Sequence, residues 1–126
     1  MITATGTSGL VEGQQNFKFD GVNSFISSYS GGSISSNTTL ITIPESSGNS
    51  GFFDYYVSDG STGRAGTVIG IWNGSSSQYT DYSTPDIGGS TTGISFTVTA
   101  DGSNVTLNAV VTSGTWTVKV GSRIIF

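Results

Sequence analysis

Chemistry in this chain falls to carboxylates, hydroxyls and aromatic rings, because it contains no His, no Cys and only four basic side chains. A nucleophilic Ser or Thr needs a base to take its proton, and with Lys18 and Lys119 as the only lysines no activated pair stands out. Two carboxylates can hydrolyse a glycosidic bond. Glu12, Glu45 and several Asp residues are the material for such a pair, yet no spacing singles out two of them. Asp81, Thr84 and Asp86 put oxygens in one loop, which suits a hard cation, but EF-hand spacing is absent and Asp-rich tips are more often turn formers. The glycine run at residues 60–66 lacks the Lys-Ser/Thr that ends a phosphate loop. No cofactor or metal is expected. Trp72, Tyr79 and Tyr82, around Asn73-Gly74-Ser75, could stack on sugar rings and are the candidates for a glycan platform. Packing in the core or between subunits is the stronger explanation for the same rings. Asn-X-Ser/Thr triplets begin at Asn37, Asn73 and Asn104, and a chain this rich in Ser and Thr produces them by chance.

The elements that must position these residues are strands. Ile94, Phe96 and Val98 alternate with Ser95, Thr97 and Thr99, which places the apolar set on one face of a pleated strand. Asp101-Gly102 then supplies the positive-φ positions of a tight turn, residues 105–111 form the next run, and Ser113-Gly114 leads to residues 116–120. The pattern reads as two successive hairpins, with Phe96, Leu107 and Trp116 facing the core. Upstream, residues 40–43 stop at Pro44, residues 52–57 at Asp59-Gly60, residues 67–72 at Asn73-Gly74, and a weaker run at 78–80 stops before Thr84-Pro85-Asp86. Seven or so strands spaced by about ten residues predict an all-β fold, an antiparallel β-sandwich that is jelly-roll-like. No stretch has helical periodicity.

Residues 1–38 differ in composition. They are rich in Ser, Thr and Gly around one short alternating piece, Phe17-Lys18-Phe19, and are expected to form an extended N-terminal arm that attaches to another protein or intertwines with sister chains. Phe17 and Phe19 are its candidate attachment residues. Residues 39–126 are expected to form the sandwich domain.

Hydrophobic residues make up 34% of the chain and 19 glycines bury no side chain, so the core of one copy is expected to be modest and self-association would supply further burial. Residues 52–57 and 68–72 are apolar at both parities, which leaves neither face polar. A symmetric subunit interface follows as the expectation, with Phe53, Tyr55, Arg64, Ile69 and Ile71 as its candidates and a homotrimer as the assembly. Arg64 is expected to pair with a carboxylate such as Asp54. A net charge of -4, spread along the chain, argues against a duplex nucleic-acid partner. No apolar run is long enough for membrane insertion as a helix, and the first twenty residues lack the layout of a secretory signal.

Several of these stretches resemble a known domain. Gly51-Phe52-Phe53-Asp54-Tyr55, Arg64-Ala65-Gly66, Ile71-Trp72-Asn73, Tyr79-Thr80, Asp86-Ile87-Gly88, Phe96-Thr97-Val98 and Trp116-Thr117-Val118-Lys119 with Arg123-Ile124 are similar to the C-terminal domain of tailed-phage virion proteins. Those proteins are tail fibres, head fibres and related appendages, and the likeness covers about residues 39–126. It implies a non-enzymatic trimeric β-rich knob in the virion, assembled in the host cytoplasm, whose partner is the major capsid protein or another virion protein. Because only a short arm precedes the domain, a capsid decoration protein or head fibre is expected ahead of a complete tail fibre. The rival from another class is a module that binds a host surface glycan at a tail tip, and a glycan-degrading enzyme is a distant third.

Overall fold

A computed structural model describes residues 16–19 and 24–125 of the chain. Within them the strands are β1 (Asn16–Phe19), β2 (Ser24–Ile34), β3 (Thr38–Pro44), β4 (Ser50–Ser58), β5 (Gly63–Asn73), β6 (Ser76–Ser83), β7 (Ile94–Ala100), β8 (Asn104–Val111) and β9 (Trp116–Ile125). A 3-10 turn at Glu45–Ser47 follows β3, where Pro44 ends the ladder. The strands form an antiparallel sandwich of two sheets, ordered β1-β2-β9-β4-β5-β6 and β3-β8-β7.

The first and last strands wrap together as in a jelly roll, with β2 beside β9, β9 beside β4, and β3 beside β8 in the opposite sheet. The middle of the chain departs from that pattern, since β4, β5 and β6 remain in the larger sheet as a meander. Period-two alternation decides what faces inward. On β9, Trp116, Val118, Val120, Ser122 and Ile124 are buried while Thr117, Lys119, Gly121, Arg123 and Ile125 are exposed. Facing them across the core are Phe96 and Val98 of β7 and Leu107 and Ala109 of β8. Phe96, Leu107 and Trp116 are therefore core residues, at 4%, 1% and 3% exposure. On β3 the alternation slips once. A register shift between Thr39 and Ile41 lets both Leu40 and Ile41 turn inward.

The turns follow from their residues. Between β7 and β8, Gly102 sits at φ +94° and the Asp101 carboxylate accepts from the backbone N–H of Ser103 and Asn104 at 2.8 and 2.7 Å. The second expected hairpin is not one. β8 lies in the smaller sheet and β9 in the larger, where β2 and β4 already occupy both sides of it. Ser113-Gly114 instead carries the chain from one sheet to the other, and Trp116 donates from Nε1 to the Ser113 carbonyl at 2.8 Å to fix the corner. Residues 24–34, expected in the arm, pair with β9 as a strand of the larger sheet, and Ile34 joins the core. The part of the arm that lies outside that sheet order is shorter than residues 1–38.

Candidate functional site

Arg64 enters β5 at the parity of Val68 and Trp72 and points between the sheets. Four of its N–H groups have partners. Nε donates to the Tyr55 hydroxyl at 3.1 Å, one terminal nitrogen to both the carbonyl and the hydroxyl of Thr91 at 2.8 Å, and the other to the Ile94 carbonyl at 2.9 Å. The guanidinium also lies 5.5 Å from the Tyr55 ring centre and 6.0 Å from that of Phe96, and the two rings are 4.4 Å apart. Arg64 thus ties β4 and β5 of one sheet to β7 of the other.

Two carboxylates complete the cluster through intermediaries. The Tyr55 hydroxyl donates to Asp81 at 2.8 Å, and Thr91, 1% exposed, donates both its backbone N–H and its hydroxyl to Asp86. The expected pairing of Arg64 with Asp54 does not form. Asp54 faces the other side of the sheet, where it accepts from the Thr67 hydroxyl at 2.7 Å. Burial pushes the Tyr55 hydroxyl above its ordinary value, opposed by the hydrogen bond from Arg64 and reinforced by Asp81. The hydroxyl and backbone N–H of Thr91 hold Asp86 below the usual carboxylate range, with a further contribution from the Arg64 charge. Asp81, Thr84 and Asp86, weighed as cation ligands, are each engaged otherwise, Thr84 accepting from the Ala65 N–H at 3.2 Å. The cluster reads as a structural lock.

The outer face of the larger sheet has a different character. Phe52 opposes Ile69 on one side and Arg123 on the other, and Ser50 opposes Ile71 and Ile125. Directly opposed residues share a face, so these side chains form one apolar patch, with Ile71 at 58% and Ile125 at 44% exposure. A shallow depression of about 440 Å³ runs across it, lined by Phe52, Ile69, Ile71, Thr80 and Ile125 among others. Arg123 lies over the Phe52 ring, 4.8 Å from its centre. The outer face of the smaller sheet is polar by contrast. There Asn108 donates to Thr97 and Thr99, Thr39 donates to Asn108, and Thr99 bonds Thr106.

Of the expected interface residues, Ile69 and Ile71 lie on the apolar outer face, whereas Phe53 and Tyr55 are buried at 1% and 4% exposure and Arg64 is turned inward. The outward residues of β4 are Phe52, Asp54 and Tyr56, one step from those expected. The three rings weighed as an alternative glycan platform do not share one surface. Trp72 is 2% exposed, with Nε1 donating to the Gly48 carbonyl at 2.8 Å, and Tyr79 and Tyr82 take opposite parities on β6. Phe17 and Phe19 lie on β1, opposite Ile26 and Ser24, and their side chains fall outside the described part of the structure. Thr91 was not legible as the partner of Arg64, because the two are brought together only by the crossing from β6 to β7.

No protein-family model, no curated protein and no solved structure matches the chain.

Proposed function

We propose that this chain is a non-enzymatic structural protein of a bacteriophage virion, a homotrimeric knob that decorates the capsid or ends a head or tail fibre, attached through its N-terminal segment. The observation that supports this reading is where the phage-like motifs meet. Tyr55, Arg64 and Phe96 come from separate motifs and pack on one another, and Asp86 from a further motif joins them through Thr91. Gly51 lies against Trp72 and Ile124, which belong to two others. A Cβ on Gly51 would approach Ile124 Cδ1 to 2.7 Å and Trp72 Cη2 to 3.2 Å. The same residues hold the sandwich together. The apolar outer face of β4, β5 and β9 is the natural place for subunit contact.

Incorporation of truncated protein into particles tests the attachment. Because β2 begins at Ser24, removing residues 1–23 keeps the sheet order from β2 onward. The truncated protein should fold, with a far-UV spectrum of β type, and should be missing from gradient-purified virions that contain the full chain. Normal incorporation would place attachment on the knob.

A further inference from the structure

Three hairpin turns set a side-chain carbonyl carbon one residue before a glycine, at Asp59-Gly60, Asn73-Gly74 and Asp101-Gly102. In that arrangement the glycine backbone nitrogen can close on the preceding Cγ to form a five-membered imide, and glycine hinders the approach least because it has no Cβ. Two of the turns are held against it. One carboxylate oxygen of Asp59 accepts from the N–H of Ser61 and Thr62 at 2.9 and 2.7 Å, and Gly60 N–H donates to the Ser58 hydroxyl at 3.0 Å. Asp101 accepts likewise from Ser103 and Asn104, and Gly102 N–H donates to a Glu45 carboxylate oxygen at 2.8 Å. The carbon and the nitrogen that would have to meet are thus engaged elsewhere. The same bonds hold both carboxyls below the ordinary range, and an ionised carboxylate is a poor electrophile.

Asn73-Gly74 lacks these restraints. Asn73 closes the β5–β6 hairpin against Ser76, and Gly74, at φ +65°, is the first of the two residues between them. Among the described residues, neither the Asn73 side chain nor the Gly74 N–H has a hydrogen-bond partner, and a Cβ built on Gly74 would meet nothing within 4 Å. Asn73 is exposed, at the outward parity of Ile69 and Ile71. Its carboxamide is uncharged and remains an electrophile at neutral pH, and no other Asn in the chain precedes a glycine.

We propose that Asn73 is a site of spontaneous covalent modification, deamidating through a succinimide with Gly74 in the folded protein, while Asp59 and Asp101 are protected. Hydroxide takes the Gly74 amide proton, and the nitrogen forms a bond to Asn73 Cγ. The bond from Cγ to the side-chain nitrogen breaks, and that nitrogen leaves as ammonia after taking a proton from water, which restores the hydroxide. Water then opens either imide carbonyl, leaving aspartate or isoaspartate. Either product carries a carboxylate on the face of Ile69 and Ile71, and isoaspartate adds one carbon to the backbone at the pair with Ser76. This chemistry is independent of the assembly proposed above.

Peptide mapping by mass spectrometry tests it, with fragmentation that tells isoaspartate from aspartate. The full chain is incubated at physiological temperature and pH, both folded and in guanidinium chloride. The unmodified Asn73 peptide should be lost at comparable rates in the two states, replaced by aspartate and isoaspartate. At Asp59 and Asp101, isoaspartate should form more slowly in the folded chain by an order of magnitude or more. Asn73→Gln would have to close a six-membered ring, so it should abolish the modification at this position while keeping the far-UV spectrum of the parent. Conversion at Asn73 that is slower in the folded than in the unfolded chain by an order of magnitude or more overturns the proposal. Isoaspartate forming at Asp59 or Asp101 as fast in the folded chain as in the unfolded one overturns the protection.

Discussion

Arg64 and Thr91 show how a polar group can be buried without loss. The guanidinium has acceptors on two strands and a loop, and the Thr91 hydroxyl both accepts from it and donates to Asp86. Arg64→Gln cannot reach these acceptors together. It should cost about 2–4 kcal/mol in chemical denaturation, since charged hydrogen bonds are lost and Thr91 is left short of a donor. Trp116→Ala should cost about 3–5 kcal/mol, because it empties a fully packed site and frees the Ser113 carbonyl. Acid should also destabilise the fold. Asp86, Asp59 and Asp101 all titrate below the ordinary carboxylate range, held respectively by Thr91, by the turn N–H groups of Ser61 and Thr62, and by those of Ser103 and Asn104. A depressed folded-state value means the stabilisation is present at neutral pH and disappears as pH falls through that value. Stability should therefore decline below about pH 4, and Asp86→Asn should make the decline shallower. The prominence of Arg64 was legible in its rarity and its small neighbours. Its partners were not, because the residues that meet it are 9 to 30 positions away and on opposite sheets.

Strand and turn chemistry made most elements readable. Alternation placed β7 at its observed limits, and Asp-Gly and Asn-Gly marked the turns after β4, β5 and β7, with Gly60, Gly74 and Gly102 all at positive φ. Gly102→Val should destabilise the hairpin by about 1 kcal/mol or more, because a β-branched residue is strained at φ +94° even though space is open there. The errors share one cause. Local sequence does not say which sheet a strand joins, so Ser113-Gly114 looked like a hairpin turn although β9 is enclosed by β2 and β4. The same limit inverted β4, where apolar residues at both parities gave alternation nothing to act on. Phe53 and Tyr55 went inward, and Phe52 and Tyr56 stayed out. β2 was missed because its Ser and Gly content hides a strand whose pairing comes from β9.

The whole molecule has two unlike outer surfaces. One is a Thr and Asn lattice that satisfies itself by hydrogen bonds, and the other is apolar with basic residues on a chain of net charge -4. A knob built this way would turn its polar sheet outward and bury the other between copies. The central claim concerns where the protein resides, and quantitative mass spectrometry of gradient-purified particles tests it most directly. The account predicts a phage origin for the chain, with its peptides present in gradient-purified particles at a fixed copy number per virion, in a multiple of three relative to the capsid. Particles that lack the protein, while the infected cells contain it, would contradict the account.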